Sequence, residues 1–549
     1  MIYTSSYPPV TTEHRGGIHD FLFSRPAARQ FEQRPALIDA LTGKRTTYAE
    51  LRDESLSFAD GLTRVAGLKR RDTILLFSPN STLYPALLLA GQAAGLVVST
   101  ANAAYTPDEM QHQLEVSEAS VVLTSADLLE TTATAAKRVG LGLDRVFVLP
   151  DAKGAVPDKL PHGMRSFEEL RGSRSFKPVI PTFQEAKTDI AYLPFSSGTT
   201  GKGKGVALSA YNATMCIQQT SRTEGTFDRA DTVLSILPMS HIFGLIVVTH
   251  LTLYNGGTLV ILPKFDLVQA LEAIQKHKCT TALVVPPVAL ALAKHPVVDK
   301  YDLSSLRFIL SGAAPLSADL QQAVTKRLRI PMVQGLGMSE TTSVGFVPEV
   351  LKPIVPGSVG RILSTMEARL VDADGKDVQE GKAGELWMRG PNIMLRYHKN
   401  EKATRETLTE DGWLMTGDVC ERKPDGHFYV VDRVKELIKY KGFQVAPAEV
   451  EGCLLSAPFI ADAAVIGIYS DEQATELPRA YIVPAPSAAD SSTLIEDVTK
   501  WVEEKLAPHK RLRGGVVVLE AIPKSPSGKI LRKDLRVLAA KEGQSKVKL

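Results

Sequence analysis

Cysteine is scarce in this chain. The 549 residues contain four, Cys216, Cys279, Cys420 and Cys453, with no CxxC pair among them. Neither a disulfide framework nor a zinc site of the usual spacing is therefore expected, and the four read as structural thiols in a reducing compartment. An excess of either charge is also missing, since 64 Lys and Arg stand against 61 Asp and Glu for a net +3. That balance excludes a nucleic-acid or anionic-membrane binder acting through bulk charge, so any anion site must be local. The longest apolar runs, residues 86–98 and 242–254, are interrupted by polar side chains and fall short of the ~20 residues that span a bilayer. The start, MIYTSSYPPVTTEHRGG, has no basic segment followed by an apolar one, so no secretory signal is expected. No repeat period and no long low-complexity tract is visible.

What is present is ordinary globular composition, 44% hydrophobic and 23% charged. The length exceeds the roughly 250–300 residues at which one hydrophobic core stops growing, so two or more packed units are expected. From residue 73 to 150, short β-rich runs (TILLF, VVST, SVVLTS, RVFVL) alternate with helical segments, which predicts a parallel sheet covered by helices. Thr47 with Glu50 and Thr106 with Glu109 fit capping boxes, the second with Pro107 at the first helical position. A second doubly wound α/β layer is expected over about 231–334, from TLVIL, TALVV and LRFILS. Between about 358 and 429 the pattern changes to short strands and turns, predicting a small β-rich unit. Residues 433–549 mix helices and strands and read as a separate, small α+β domain after a large one at 1–432.

The most informative local segment is SSGTTGKGKG, residues 196–205, after the apolar run DIAYLPF. Its hydroxyls and the amides of a glycine-rich turn can surround phosphate oxygens, with Lys202 and Lys204 adding charge. A solvated surface loop is the plain alternative. Gly198, Gly203 and Lys204 match a Walker A pattern except at the last position, where Gly205 replaces the magnesium-binding hydroxyl. The following VALSA reads as a strand rather than a helix start, which disfavours a P-loop NTPase.

The loop resembles the phosphate-binding signature of adenylate-forming enzymes, the superfamily of acyl-CoA synthetases, 4-coumarate-CoA ligases, luciferases and adenylation domains. Seven further segments match in order: LPMSHIFGL (237–245), SGAAPL (311–316), QGLGMSET (334–341), PGSVGR (356–361), DGWLMTGD (411–418), DRVKELIKYKGFQVAPAE (432–449) and PKSPSGKILRKDLR (523–536). The resemblance implies two half-reactions. A carboxylate attacks the α-phosphate of MgATP to give an acyl-adenylate and pyrophosphate, and the CoA thiol then displaces AMP. Positioning and charge neutralisation are the main tasks.

By the same resemblance, Lys529 would bridge carboxylate and α-phosphate, Glu340 would hold Mg²⁺, and His241 would orient the carboxylate. Ser196, Ser197, Gly198, Thr199, Thr200, Gly201 and Lys204 would cradle the phosphates. Gln334, Gly335, Leu336 and Ser339 would line the nucleotide, with Asp418 on the ribose and Arg433 behind it. Lys435 would be the hinge of a mobile C-terminal domain. Lys439 would serve the second step, and Lys441 with Gly442 would meet CoA. Phe243, Val247, Gly312, Ala313 and Val344 would form the acyl pocket.

Some positions depart from the family pattern. Gly203 stands in place of a usual proline and Leu336 in place of an aromatic on adenine. Phe243 takes a place where hydroxycinnamate ligases often carry tyrosine, and Val247 replaces a polar neighbour. An apolar wall cannot pair a 4-hydroxyl, so the expected substrate is an apolar acid, medium-chain fatty or aryl. A luciferase-like or stand-alone adenylating enzyme is the alternative within the family. The end Val547-Lys548-Leu549 partly resembles a peroxisomal Ser-Lys-Leu address, which leaves peroxisome and cytoplasm both open.

Overall fold

The computed structural model describes residues 1–10, 16–196, 202–223, 225–227, 230–350, 353–441, 443–470, 473, 475–488, 492–525 and 528–546. It is a mixed α/β structure with a large N-terminal domain and a small C-terminal one. Two layers of the large domain are sheets with parallel centres and antiparallel strands at an edge. In the first, strands Val97–Ala101, Thr73–Phe77, Val121–Ser125 and Val146–Leu149 lie side by side in parallel, as the alternating pattern predicts. They are buried on both faces, which is why they read as continuous apolar runs. Both capping boxes form: Thr47 and Glu50 exchange bonds at the start of helix Tyr48–Arg64, and Thr106 and Glu109 do so at Pro107–Ser117.

The first layer is wider than residues 73–150. Strand Ile190–Tyr192 adds in parallel, and Lys204–Ser209 then pairs with it antiparallel. The VALSA segment is thus a strand, and a helix, Ala210–Ser221, begins only after Ser209 caps it. A Walker lysine opens a helix directly, so the P-loop reading fails on this geometry.

The second layer orders Met332–Gln334, Phe308–Ser311, Thr281–Val284, Thr232–Ser235 and Thr258–Ile261 in parallel. It also takes in Pro35–Asp39 and Arg45–Thr47 from near the N-terminus, outside the predicted 231–334 span. The β-rich unit is an antiparallel sheet of Glu367–Val371, Gly384–Arg389, Leu414–Arg422 and Phe428–Arg433, and Tyr3–Thr4 extends its edge.

One continuous core joins these layers, whereas a second hydrophobic cluster starts at Ile438 and runs to Leu512. Arg433 is the last residue of the large domain's final strand, and Lys435 lies in the short connection before Ile438–Tyr440. All four cysteines are free, three of them buried. Among the described residues no helix is long and apolar enough to cross a membrane.

Candidate active site

Ligand sites in open α/β sheets lie beyond the carboxyl ends of the strands. Three such ends in the second layer feed one cavity of about 460 Å³. Strand Thr232–Ser235 leads to His241 and Phe243, Phe308–Ser311 leads to Gly312 and Ala313, and Met332–Gln334 leads to Gly335, Leu336, Ser339 and Glu340. The first layer contributes Ser196 and Lys204, which are antiparallel register partners. Ser197, Gly198, Thr199, Thr200 and Gly201 lie outside the described residues, as does Gly442. Arg433, Lys435 and Lys529 close the cavity from the side of the small domain.

Lys529 is presented by a tight loop. Its N–H donates to Ser525 Oγ at 3.1 Å, and Ser525 N–H donates back to the Lys529 carbonyl at 2.8 Å. Gly528 beside it has φ of 77°, and a Cβ there would lie 3.1 Å from both Pro287 and Val285. The left-handed turn and the close approach both call for glycine, and together they seat Lys529 against the large domain. Burial, and then the charge of Arg433, hold the Lys529 amine down at about 8.

His241 is held at about 4 by burial and by the Lys529 charge, so its ring is neutral. Phe243 N–H donates to His241 Nδ1 at 3.3 Å, which leaves the ring proton on Nε2. The site therefore holds a neutral N–H donor beside a lysine; a protonated imidazole is not the form present at neutral pH.

Glu340 sits in the short turn Ser339–Thr341, buried, and accepts from the Tyr397 hydroxyl at 2.7 Å on Oε1. Tyr397 was not legible as a site residue; it comes from strand Arg396–Tyr397, which pairs with Lys204–Ser209. Lys204 Nζ lies 4.4 Å from the same tyrosine ring, a cation–π contact. Among the described residues no group of three His, Cys, Asp or Glu side chains could cage a metal. One carboxylate on a nucleotide-sized cavity suits Mg²⁺, which is usually held by one or two carboxylates together with substrate phosphates.

A second cavity, of about 710 Å³, shares Gly335, Leu336, Arg433 and Lys529 with the first and runs between the domains. Asp418 lines it, paired with Arg433, whose guanidinium that carboxylate holds above its usual range. Gln334 also faces it, with its side-chain amide exchanging two hydrogen bonds with the Leu316 backbone, at 3.3 and 3.1 Å. Beneath Lys529, Arg532 bonds Glu436 at 2.7 Å and Glu451 at 2.6 Å, a buried cluster to which the sequence reading gave no role although Arg532 and Glu436 lie in the matched segments. Lys439 and Lys441 lie on the hairpin Ile438–Tyr440 and Phe443–Val445, outside both cavities. Their N–H groups donate to Glu476 and Thr475.

The predicted acyl residues come together: Phe243, Val247, Gly312, Ala313 and Val344 all line the first cavity, with Phe227, Leu310 and Phe346. A Cβ at Gly312 would lie 2.9 Å from the Phe243 ring, so glycine there makes room for the phenylalanine. Ser343, at φ of 94°, is also on that wall, and its hydroxyl has no partner among the described residues.

Residues 24–398 match the family model of the AMP-binding enzymes, and 449–529 match that of the AMP-binding enzyme C-terminal domain. The chain is 37% identical to 4-coumarate–CoA ligase 1 of Solanum tuberosum, over 98% of this chain and 97% of that one. It is also 37% identical to peroxisomal OPC-8:0-CoA ligase 1 of Arabidopsis thaliana, over 92% and 91%. A crystal structure of the anthranilate CoA ligase AuaEII in complex with anthranoyl-AMP superposes with a TM-score of 0.87 at 25% identity, covering 96% of this chain and 98% of that one.

Proposed function

The chain belongs to the AMP-binding enzyme family, and from that premise we propose that it is an acid–CoA ligase whose substrate is an apolar carboxylic acid, medium-chain fatty or aryl. The observation that carries this reading is convergence. Lys529 and Arg433 from the small-domain side, His241 from one loop and Glu340 from another all face a single cavity whose far wall is apolar except for the Ser343 hydroxyl.

In the first half-reaction an oxygen of the substrate carboxylate attacks the α-phosphorus of ATP, and the bond to pyrophosphate breaks. Lys529 lies between the two anions and offsets their repulsion, while the His241 Nε2–H donates to a carboxylate oxygen and fixes its direction. Ser196, Lys204 and the loop between them hold the phosphates, and Asp418 with Arg433 holds the sugar. Glu340 would hold a magnesium ion, which when bound neutralises phosphate charge. In the second half-reaction the CoA sulfur attacks the acyl carbon and AMP leaves. We assign Lys435 as the hinge about which the chain beyond it, residues 436–549, turns, withdrawing Lys529 and bringing Lys439, Lys441 and Gly442 to the same site.

The name of the Arabidopsis relative is consistent with a peroxisomal setting, one of the two, peroxisome and cytoplasm, that this reading leaves open. The test of the function is a panel of carboxylic acids with ATP and CoA. AMP, pyrophosphate and the thioester should form together, best with apolar acids. ADP and phosphate as products, or adenylate that CoA does not discharge, would overturn the reading.

A further inference from the structure

Residues Phe243–Leu251 form a π-helix of 9 residues. Such turns are rare and are frequent at functional sites. This one carries Phe243 and Val247 onto the acyl wall.

Two side chains secure the wide register. Thr249 Oγ1 donates to the Gly244 carbonyl at 2.8 Å, and His250 Nδ1 meets the Leu245 carbonyl at 2.6 Å. Each reaches five residues back, the spacing of the π-helix. A carbonyl only accepts, so Nδ1 carries the proton and Nε2 accepts from the Tyr192 hydroxyl at 2.8 Å. Tyr192 and His250 are both fully buried. Tyr192 ends a strand of the first sheet, so the pair ties the helix register to the neighbouring layer. The ring is held neutral by burial, at about 4, so this arrangement does not titrate near neutrality.

We propose that His250, fixed by Tyr192, is a specificity-positioning residue: it holds the π register of Phe243–Leu251 and so sets where Val247 stands relative to Phe243 on the acyl wall. The first turn has no freedom to adjust, because a Cβ at Gly244 would lie 2.0 Å from the Pro238 carbonyl oxygen. Relaxation to α spacing, with bonds to i−4, is taken up downstream and turns Val247 about the helix axis by roughly 70° relative to Phe243. The wall changes shape while the phosphate end, built from other loops, stays as it is. This inference rests on the assignment of Phe243 and Val247 to the acyl pocket.

The experiment measures kcat/KM for straight-chain acids from butanoate to dodecanoate, and for cinnamate, in the wild type, His250→Leu, His250→Asn, Tyr192→Phe and Val247→Phe. His250→Leu should change the ratio between long and short acids by about 5-fold or more, with the KM for ATP unmoved. His250→Asn, whose amide can reach the same carbonyl, should restore the wild-type ratios, and Tyr192→Phe should fall between. If His250→Leu does not fold, Tyr192→Phe decides. A loss that is uniform across the acids, or unchanged ratios, overturns the proposal. Val247→Phe separates the two failures. If it reshapes the profile while the His250 and Tyr192 variants do not, the register proposal falls and the pocket stands; if it too changes nothing, both fall.

Discussion

Arg433 and Asp418 are register partners on adjacent antiparallel strands, and Arg433 Nε donates to Asp418 Oδ1 at 2.9 Å. The pair joins the last two strands of the β-rich sheet just before the small domain begins, with Asp418 buried and Arg433 reaching into both cavities. Asp418→Asn keeps the shape and loses the charge. A charge-assisted hydrogen bond contributes about 1.5–3 kcal/mol, so the KM for ATP should rise about 10- to 150-fold. The KM for the acid should stay unchanged. Steady-state kinetics with each substrate varied in turn check this, and equal increases in both would argue against a ribose role.

The state of Lys529 predicts a basic limb. Its amine, held at about 8, is charged below that pH and neutral above it, so kcat/KM for adenylation should fall as pH rises through 8. Lys529→Arg should move that limb up, whatever its absolute rate. Stability runs the other way. The folded value lies below the unfolded one of ~10.4, so between those values the unfolded chain binds more protons and this group's contribution to stability improves with rising pH. His241, at about 4, should add no limb near 6.5. ATP–pyrophosphate exchange across pH 5.5–9.5 reads the limbs.

Lys294 ends helix Pro286–Lys294 of the large domain and donates to two carbonyls of the small one, Leu455 at 3.3 Å and Ile460 at 3.0 Å. It is a tie between domains, made in the same arrangement that places Lys529 in the cavity. Lys294→Met keeps the stem and removes the charge. Adenylation should slow by roughly 2- to 10-fold, while transfer from supplied acyl-adenylate to CoA should not slow. Single-turnover measurement of the two half-reactions distinguishes this from a general loss.

Substrate choice follows from the wall at Phe243 and Val247. A buried para-hydroxyl with no partner costs ~1–3 kcal/mol, so cinnamate should be preferred over 4-coumarate by about 5- to 150-fold in kcat/KM. Phe243→Tyr should narrow that gap. A wild type that prefers 4-coumarate would disprove the apolar wall and point to the unpartnered Ser343 hydroxyl as the acceptor.

Local sequence announced what is local. TILLF, TALVV and the two Thr-x-x-Glu boxes are strands and helix starts because their periodicity and capping chemistry act over a few residues. Lys529, Glu340, Asp418 and Arg433 were legible because each sits inside a motif. What stayed hidden, even for Arg532 inside the 523–536 segment, is pairing with distant chain. Tyr397 matters through its bond to Glu340, Arg532 through Glu436 and Glu451, and His112 through a 2.8 Å contact with the Gly203 carbonyl beside the phosphate loop. None of these partners is near in sequence. The π-helix was hidden for another reason: HIFGLIVVTHL reads as an apolar run, and a register wider by one residue per turn leaves no mark in apolar periodicity when every position from Gly244 to Leu251 is buried.

The strand Tyr3–Thr4 pairs with Ala368 and Glu367, and Pro35–Asp39 pairs with Leu259, Val260 and Ile261. During synthesis at roughly 5–20 residues per second, the first segment waits about 20–70 s for its partner to leave the ribosome. Tyr3–Thr4 is therefore an unpaired segment on the nascent chain for that time, whereas Pro35–Asp39 has Arg45–Thr47 as a partner close behind it. The central strands of the first parallel layer are free of this delay, since Thr73–Phe77 meets Val97–Ala101 within a few dozen residues. Birth order and assembly order thus diverge at this edge: Tyr3–Thr4 can take its place only after residues 367–368 have been made.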